Sequence, residues 1–169
     1  MAVFRKRTFP GVGAFFQDIG YLWSQRRLFA RPMGVKGIDG ALFERLFLAE
    51  TEVNGCRFCA YAHSRAALKQ GVPAEEIREL LSREWGHVPE RERPAVAYAQ
   101  HWTDTYGRPD PEAAATLERT YGAETAERIN VALRLMRFCN YVGNLVDLCL
   151  FRLSFGRLGG SPCTPAPSR

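Results

Sequence analysis

Helix start and stop signals recur along this chain, and no segment of useful length alternates apolar and polar residues. Asp39 and Asn54 are residue types that commonly cap a helix N-terminus, and Gly71 stands where a helix commonly ends. Pro73 is typical of a first helical turn. The pattern therefore predicts an all-α, multi-helix fold. The predicted helices cover residues 15–29, 40–52, 55–70, 73–85, 89–107, 110–122 and 124–153.

The length of 169 residues suits one domain with a hydrophobic core of its own. We expect the helical domain to span residues 1–155, with residues 1–34 as an N-terminal helical extension. Glycine, serine and proline dominate residues 156–169, which predicts a flexible tail. The aromatic residues of the N-terminal extension are expected to pack into the core rather than against a neighbouring subunit.

The net charge of +5 is spread along the chain, and the longest basic run is Arg5–Arg7. Such a distribution does not favour nucleic acid as a partner. The most apolar stretch, residues 131–155, contains several charged residues and is therefore not expected to cross a membrane. No apolar run that would suit a secretory signal follows the basic cluster. A cytoplasmic location is the resulting expectation.

The chain has five cysteines, an odd number that argues against a disulfide scaffold. A close pair in a reducing compartment instead indicates redox chemistry or a metal site. Cys139 and Cys149 lie in the apolar last helix and are expected to be inert core thiols. Cys163 lies in the predicted tail. The remaining two cysteines are Cys56 and Cys59.

Cys56, Cys59 and His63 share one face of a predicted helix, because they stand three and four residues apart. With Asn54 as the cap, Cys56 would be at about the second helical position, where unpaired N–H groups stabilise a thiolate. The spacing brings Cys59 close enough to form a disulfide with Cys56. A histidine on the same face can accept a proton from a thiol or return one to a leaving group.

Glu44 is a fourth candidate, because the preceding helix is apolar around most of its circumference. A carboxylate inserted in such a helix is expected to be partly buried, which would suit proton transfer. The alternative is a solvated side chain beside Arg45.

A zinc site is the rival interpretation of the same residues. Cys56, Cys59 and His63 would supply three ligands, and His87 or His101 could supply a fourth. Structural zinc sites usually hold their cysteine pair in a tight turn, whereas this pair stands in helix-forming sequence. The spacing therefore favours redox chemistry and calls for no metal or other cofactor.

The segment 44–63 resembles the active-site pattern of the alkyl hydroperoxidase D-like proteins, which belong to the carboxymuconolactone decarboxylase superfamily. Residues 52–64, with the sequence EVNGCRFCAYAHS, look very like the signature of that family. Residues 70–77, with the sequence QGVPAEEI, fit its next loop and helix. The resemblance extends over about residues 35–150 and is strongest around the two cysteines.

This resemblance implies an all-α fold and homo-oligomers, usually trimers or hexamers. It implies that the cysteine pair cycles between dithiol and disulfide while it reduces hydroperoxides or passes electrons to a partner peroxidase. A dithiol reductant would complete the cycle. By this resemblance, the Cys59 thiolate would react with the peroxide and Cys56 would then form the disulfide with it. His63 and Glu44 would form a proton relay. The helix-dipole argument favours Cys56 as the more acidic thiol, so the order of attack stays open.

Phe58 is a departure from the pattern, because the typical peroxidase members carry a further histidine between the two cysteines. The relay would be one member shorter, which predicts slow turnover or a different substrate. A redox-sensing interaction domain that lacks turnover is therefore an alternative. Members that decarboxylate a lactone generally lack the cysteine pair, so that activity is not expected.

The last helix carries three residues that an apolar helix does not require. Gly143 is expected to bend it. Asn140 and Asn144 lie one turn apart and would need hydrogen-bond partners if buried, near the site or at a subunit contact.

Overall fold

A computed structural model describes residues 3–29 and 34–160, and helices build this part of the chain. Within those ranges a single bridge between Phe29 and Val35 is the only pairing of extended backbone. The all-α prediction is confirmed. Residues 1–2, 30–33 and 161–169, which include Cys163 and most of the predicted tail, lie outside the described ranges. The helices are α1 (Val12–Ser24), α2 (Gly40–Asn54), α3 (Arg57–Lys69), α4 (Ala74–Leu80), α5 (Arg93–Asp104), α6 (Pro111–Tyr121) and α7 (Ala123–Leu153), with a short 3₁₀ helix at Arg26–Leu28.

The core surrounds α2, which packs against α3, α4, α5 and α7. Leu46, Phe47 and Leu48 on α2 are fully buried, as are Leu133 and Met136 on α7. Burying an apolar side chain of this size contributes about 1.5–3 kcal/mol to stability. Because α2 is buried on several sides, the polar residues that it carries are fixed inside the protein rather than on its surface.

The junction between α2 and α3 differs from the prediction. Asn54 does not cap α3; it is the last residue of α2, and its side chain donates to Oε1 of Glu50 at 3.1 Å. Gly55 then adopts a left-handed conformation with φ of 74°, which ends α2. Cys56 itself is the N-cap of α3. The predicted second helical position of Cys56 is therefore wrong by two positions.

Two other helix boundaries differ from the predicted ones for local reasons. Pro94 stands in the first turn of α5, where its missing N–H costs nothing, so the helix starts at Arg93 rather than near Pro89. The fourth predicted helix ends at Leu80 because the chain turns at Arg83, which has φ of 61°. No helix in the described ranges combines the length and the apolar character needed to cross a bilayer.

The N-terminal segment before α1 lies against α7 and the α2–α3 junction. The backbone N–H of Arg7 donates to the carbonyl of Asn54 at 3.3 Å. Phe9 packs edge-on against Tyr141 with ring centroids 5.1 Å apart, as core packing predicts. The same prediction is wrong for Phe16 and Trp23, which are exposed on the outer face of α1.

Candidate active site

Cys56 is the first cysteine of the candidate site, and its side chain caps the N-terminus of α3. Its sulfur accepts a hydrogen bond from the backbone N–H of Cys59 at 3.3 Å. Cys56 is fully buried, whereas Cys59 is partly exposed. A sulfur at this position faces the unpaired N–H groups and the positive end of the helix dipole, both of which stabilise a thiolate.

The Cys56 thiol has a pKa lowered from its ordinary value. A hydrogen bond with the Cys59 side chain is the largest cause, while burial acts in the opposite direction. Hydrogen bonds from the N–H groups of Cys59 and Phe58 and the charge of Lys6 lower the pKa further. The direction agrees with the effect expected of a helix start.

Glu44 and His63 form a second contact in the same region. His63 Nδ1 lies 2.7 Å from Oε2 of Glu44, and the imidazole stacks on Phe47 with centroids 3.4 Å apart. Glu44 is buried, with 7% of its surface exposed. His63 lies one turn after Cys59 on α3. Because Glu44 engages Nδ1, the Nε2 atom is the ring nitrogen left to exchange a proton with a reacting group.

Glu44 is not solvated beside Arg45. The Arg45 guanidinium is buried and pairs instead with two other acids, Glu76 at 2.5 Å and Glu92 at 3.0 Å. The carboxylates of Glu76 and Glu92 compensate the charge of Arg45, and Glu44 pairs with His63 instead.

Gly143 of α7 lies directly against the two sulfurs. A β-carbon at this position would be 2.6 Å from Sγ of Cys56 and 3.6 Å from Sγ of Cys59. The sequence suggested a bend at Gly143; the structure gives the glycine a different role, because only a residue without a side chain lets α7 approach the pair so closely.

Asn144 ties the elements around Cys56 together. Its Nδ2 donates to the carbonyl oxygens of Arg7 and Asn54, both at 2.8 Å. It is fully buried and meets the prediction that a buried amide there has partners near the site. Asn140 is also buried, but its Nδ2 donates to the carbonyl of Met136 in its own helix at 2.8 Å.

A buried ion cluster lies behind Cys56 and was not foreseen from the sequence. Asp147 is fully buried and accepts from Lys6 Nζ at 2.5 Å and from Arg57 Nη2 at 2.8 Å. The Lys6 side chain is itself only 4% exposed. Because 141 positions separate Lys6 from Asp147, no local pattern signals their contact.

Glu50 is a second acid near the site that sequence reasoning missed. It is fully buried on α2, and Oε1 accepts from Nδ2 of Asn54. Its pKa is raised well above the ordinary value, chiefly because burial disfavours the charged form, although the charge of Arg137 opposes the shift. Glu50 therefore favours the protonated state inside the fold.

The two further cysteines of α7 differ from each other. Burial, with the charges of Glu50 and Cys56, raises the pKa of Cys139 to about 11, which agrees with an inert thiol. Cys149 is exposed, so its prediction as a core thiol is wrong. It lies on the outward face of the helix, which the apolar composition of α7 did not reveal.

The residues of the zinc alternative are not gathered into a ligand set. Within residues 3–29 and 34–160, no group of three or more histidine, cysteine and acidic side chains is arranged to hold a metal ion. His87 pairs with Glu79 at 2.6 Å, and His101 pairs with Asp110 at 3.0 Å. Among the described residues, neither histidine joins Cys56, Cys59 and His63 in such a group.

The comparison with protein families gives one match. The model of the carboxymuconolactone decarboxylase family matches residues 25–99. This stretch contains all of α2, α3 and α4, and with them the cysteine pair and the contact between Glu44 and His63. No curated protein and no solved structure matches the chain significantly.

Proposed function

We propose that the chain is a member of the carboxymuconolactone decarboxylase family, whose model matches residues 25–99, and that it acts as a thiol-dependent peroxidase of the alkyl hydroperoxidase D-like kind. The family includes decarboxylases as well as such peroxidases. The observation that carries the choice is the contact between Cys56 and Cys59, in which the Cys56 sulfur accepts from the Cys59 backbone N–H at 3.3 Å, one helical turn from a buried pair of Glu44 and His63. A dithiol with a proton relay suits peroxide reduction.

The first step uses Cys59, the more accessible sulfur of the pair. Its thiolate attacks the terminal oxygen of a hydroperoxide, the O–O bond breaks, and a sulfenic acid forms on Cys59. His63 takes the thiol proton beforehand and returns it to the alkoxide, which leaves as an alcohol. Glu44 is a positioning residue, since it holds the imidazole through Nδ1.

The second step uses Cys56, which is shielded from solvent and carries the lowered pKa. Its thiolate attacks the Cys59 sulfur, an S–S bond forms, and hydroxide leaves and is protonated to water. Two electrons have then passed from the dithiol to the peroxide. A dithiol reductant or a partner protein restores both thiols by disulfide exchange.

The experiment measures consumption of an alkyl hydroperoxide with an excess of dithiol, for the unaltered chain and for Cys59→Ser and Cys56→Ser. We expect Cys59→Ser to lose turnover, and Cys56→Ser, when treated with hydroperoxide before any dithiol is added, to accumulate a sulfenic acid on Cys59 that dimedone traps. Cys149→Ser is the matched control, because that thiol is exposed and outside the pair. Absence of peroxide consumption with every dithiol, together with no effect of Cys59→Ser, would contradict the proposal.

Phe58 supports a second candidate, a redox sensor. Its ring is 43% exposed and lies 4.7 Å from the guanidinium carbon of Arg57, where a further relay histidine would stand. A sensor would form the disulfide once with peroxide but would not turn over with dithiols. The same assay separates the two functions.

We further propose that the protein is a cytoplasmic homo-oligomer, a trimer or hexamer. Exposed apolar side chains lie on α3 and α7, among them Phe58, Tyr61, Val146 and Leu153. Contiguous exposed apolar surface commonly marks an interface. Light scattering coupled to size-exclusion chromatography tests this, and a monomer at micromolar concentration would contradict it.

A further inference from the structure

A cavity of about 530 Å³ lies between α1, α7 and the turn that follows α5. This volume is within the range of small-molecule sites. Its lining includes none of the four residues of the candidate active site. The polar lining residues that matter here are Asp18, Tyr106, Arg108, Arg134 and Arg137.

The charges of the lining are unbalanced. Asp18 is 3% exposed and pairs with Arg137 Nη2 at 2.5 Å, while Arg134 Nη1 lies 3.6 Å from the same carboxylate oxygen. Arg108, which is exposed, adds a third positive charge. Arg134 and Arg137 thus share the Asp18 carboxylate, and Arg108 is a further arginine of the lining, so the positive charges of the lining outnumber its one carboxylate and favour an anion.

Aromatic rings fix the guanidinium groups in place. Arg134 lies over the ring of Tyr21 at 4.3 Å, and Arg137 lies over the ring of Trp102 at 5.1 Å. Arg137 also donates to the carbonyl of Tyr106 at 3.3 Å. Its Nε atom is buried and has no hydrogen-bond partner among the described residues. Arginines held in this way lose little freedom when they bind a planar carboxylate with two parallel hydrogen bonds.

The rest of the lining is mixed, with the polar residues Gln17 and Thr105 beside apolar and aromatic ones. Phe9, Pro10 and Tyr141 contribute to its walls. Tyr106 holds a left-handed conformation with φ of 57°, a conformation that costs energy for a residue other than glycine and is common beside ligand sites. An occupant would therefore need both a negative head and an apolar body.

We propose that this cavity binds a small organic carboxylate, with its carboxylate on Arg134 and Arg108 and its apolar body against Phe9 and Tyr141. The proposal does not depend on the chemistry of the cysteine pair, because the two sites share no lining residue. Asp18 holds Arg137 in place, so the other two arginines provide the charge available to a ligand.

Isothermal titration calorimetry of the full-length chain tests this with three probes: phenylacetate, its neutral amide and inorganic phosphate. We expect phenylacetate to bind and the other two to bind more weakly or not at all. Arg134→Gln and Arg108→Gln should each weaken phenylacetate binding by about fivefold, since each removes one charged contact. Both variants keep the pair of Asp18 and Arg137. Arg152→Gln, on the exposed end of the same helix α7, should bind like the unaltered chain.

Several outcomes would overturn the proposal. These are failure of phenylacetate to bind at millimolar concentration, equal binding of the neutral amide, tighter binding of phosphate, or unchanged affinity in both arginine variants. Arg108 is exposed, so Arg108→Gln gives a reading even if Arg134→Gln disturbs the fold. Thermal melting of each variant identifies such a disturbance.

Discussion

Gly143 and Cys56 are in direct contact across the interface between α7 and α3, with no room for a side chain between them. A β-carbon on Gly143 would lie 2.6 Å from the Cys56 sulfur, closer than any real contact of this type. Cys56 cannot move away easily, because its sulfur caps α3 and it is fully buried. The contact therefore fixes where the cysteine pair stands relative to α7.

Gly143→Ala should destabilise the protein by about 1–3 kcal/mol, the usual cost of overpacking a dense interior. It should also slow disulfide formation, since the Cys56 sulfur must shift. Urea unfolding and the rate of peroxide-induced disulfide formation check the two effects. Gly20→Ala is the matched control on α1, because a β-carbon there meets nothing within 4 Å. It should stabilise the protein by about 0.5–1 kcal/mol. Unchanged stability and rate in Gly143→Ala would show that the contact does not constrain the pair.

Glu44→Gln should lower kcat/KM for hydroperoxide by roughly ten- to a hundredfold, within the range of general acid–base effects. The amide can still accept a hydrogen bond from His63, but it places no negative charge beside the imidazole during proton transfer. Glu79→Gln is the matched control, because Glu79 pairs with His87 at 2.6 Å away from the sulfurs. Equal kcat/KM in Glu44→Gln and Glu79→Gln would show that Glu44 has no role in catalysis.

Lys6→Gln should raise the pKa of the Cys56 thiol, because the charge of Lys6 lowers it in the unaltered chain. The rise should be modest, since the hydrogen bond with Cys59 is the larger cause. Thiolate absorbance as a function of pH measures the shift. Lys6→Arg keeps the charge and should leave the titration unchanged, as should Arg5→Gln at the exposed neighbouring position. A titration that does not move in Lys6→Gln would contradict this assignment.

Glu50→Gln should change how stability depends on pH. The pKa of Glu50 is raised by burial, so the folded chain holds this proton at pH values where the unfolded chain has lost it. Its contribution to stability is full below the ordinary carboxyl pKa and is lost as pH rises toward the raised value. The variant lacks this loss, so its stability relative to the unaltered chain should increase as the pH rises above the ordinary carboxyl pKa. Urea unfolding across this range checks it, with Glu112→Gln as an exposed control. If the difference in unfolding free energy between Glu50→Gln and the unaltered chain did not change with pH, this assignment would be contradicted.

The sequence sufficed for the fold class and the family resemblance, both of which are confirmed. Helix signals are local, so the number and order of helices could be predicted. The first residue of α3 could not be predicted, because asparagine is by itself a more common helix cap than cysteine. The left-handed conformation of Gly55 ends α2 at Asn54, two residues later than predicted, and Cys56 becomes the cap of α3.

The candidate site was predictable only where its residues are close in sequence. The spacing of Cys56, Cys59 and His63 is a helical repeat, and the contact between Glu44 and His63 spans 19 positions. Their catalytic roles stay a prediction. Lys6 acts on Cys56 through its charge, and Gly143 packs against its sulfur. Both residues are far from Cys56 in sequence, so their positions depend on how the helices pack and not on any local pattern.

Mass spectrometry of the peptide that carries Cys56 and Cys59, before and after one equivalent of hydroperoxide, tests the central claim most directly. A redox pair predicts that the peptide loses two hydrogen atoms, with the disulfide between Cys56 and Cys59, and that a dithiol restores the original mass. An unchanged peptide, or one whose cysteines gain oxygen without forming a disulfide, would contradict the account.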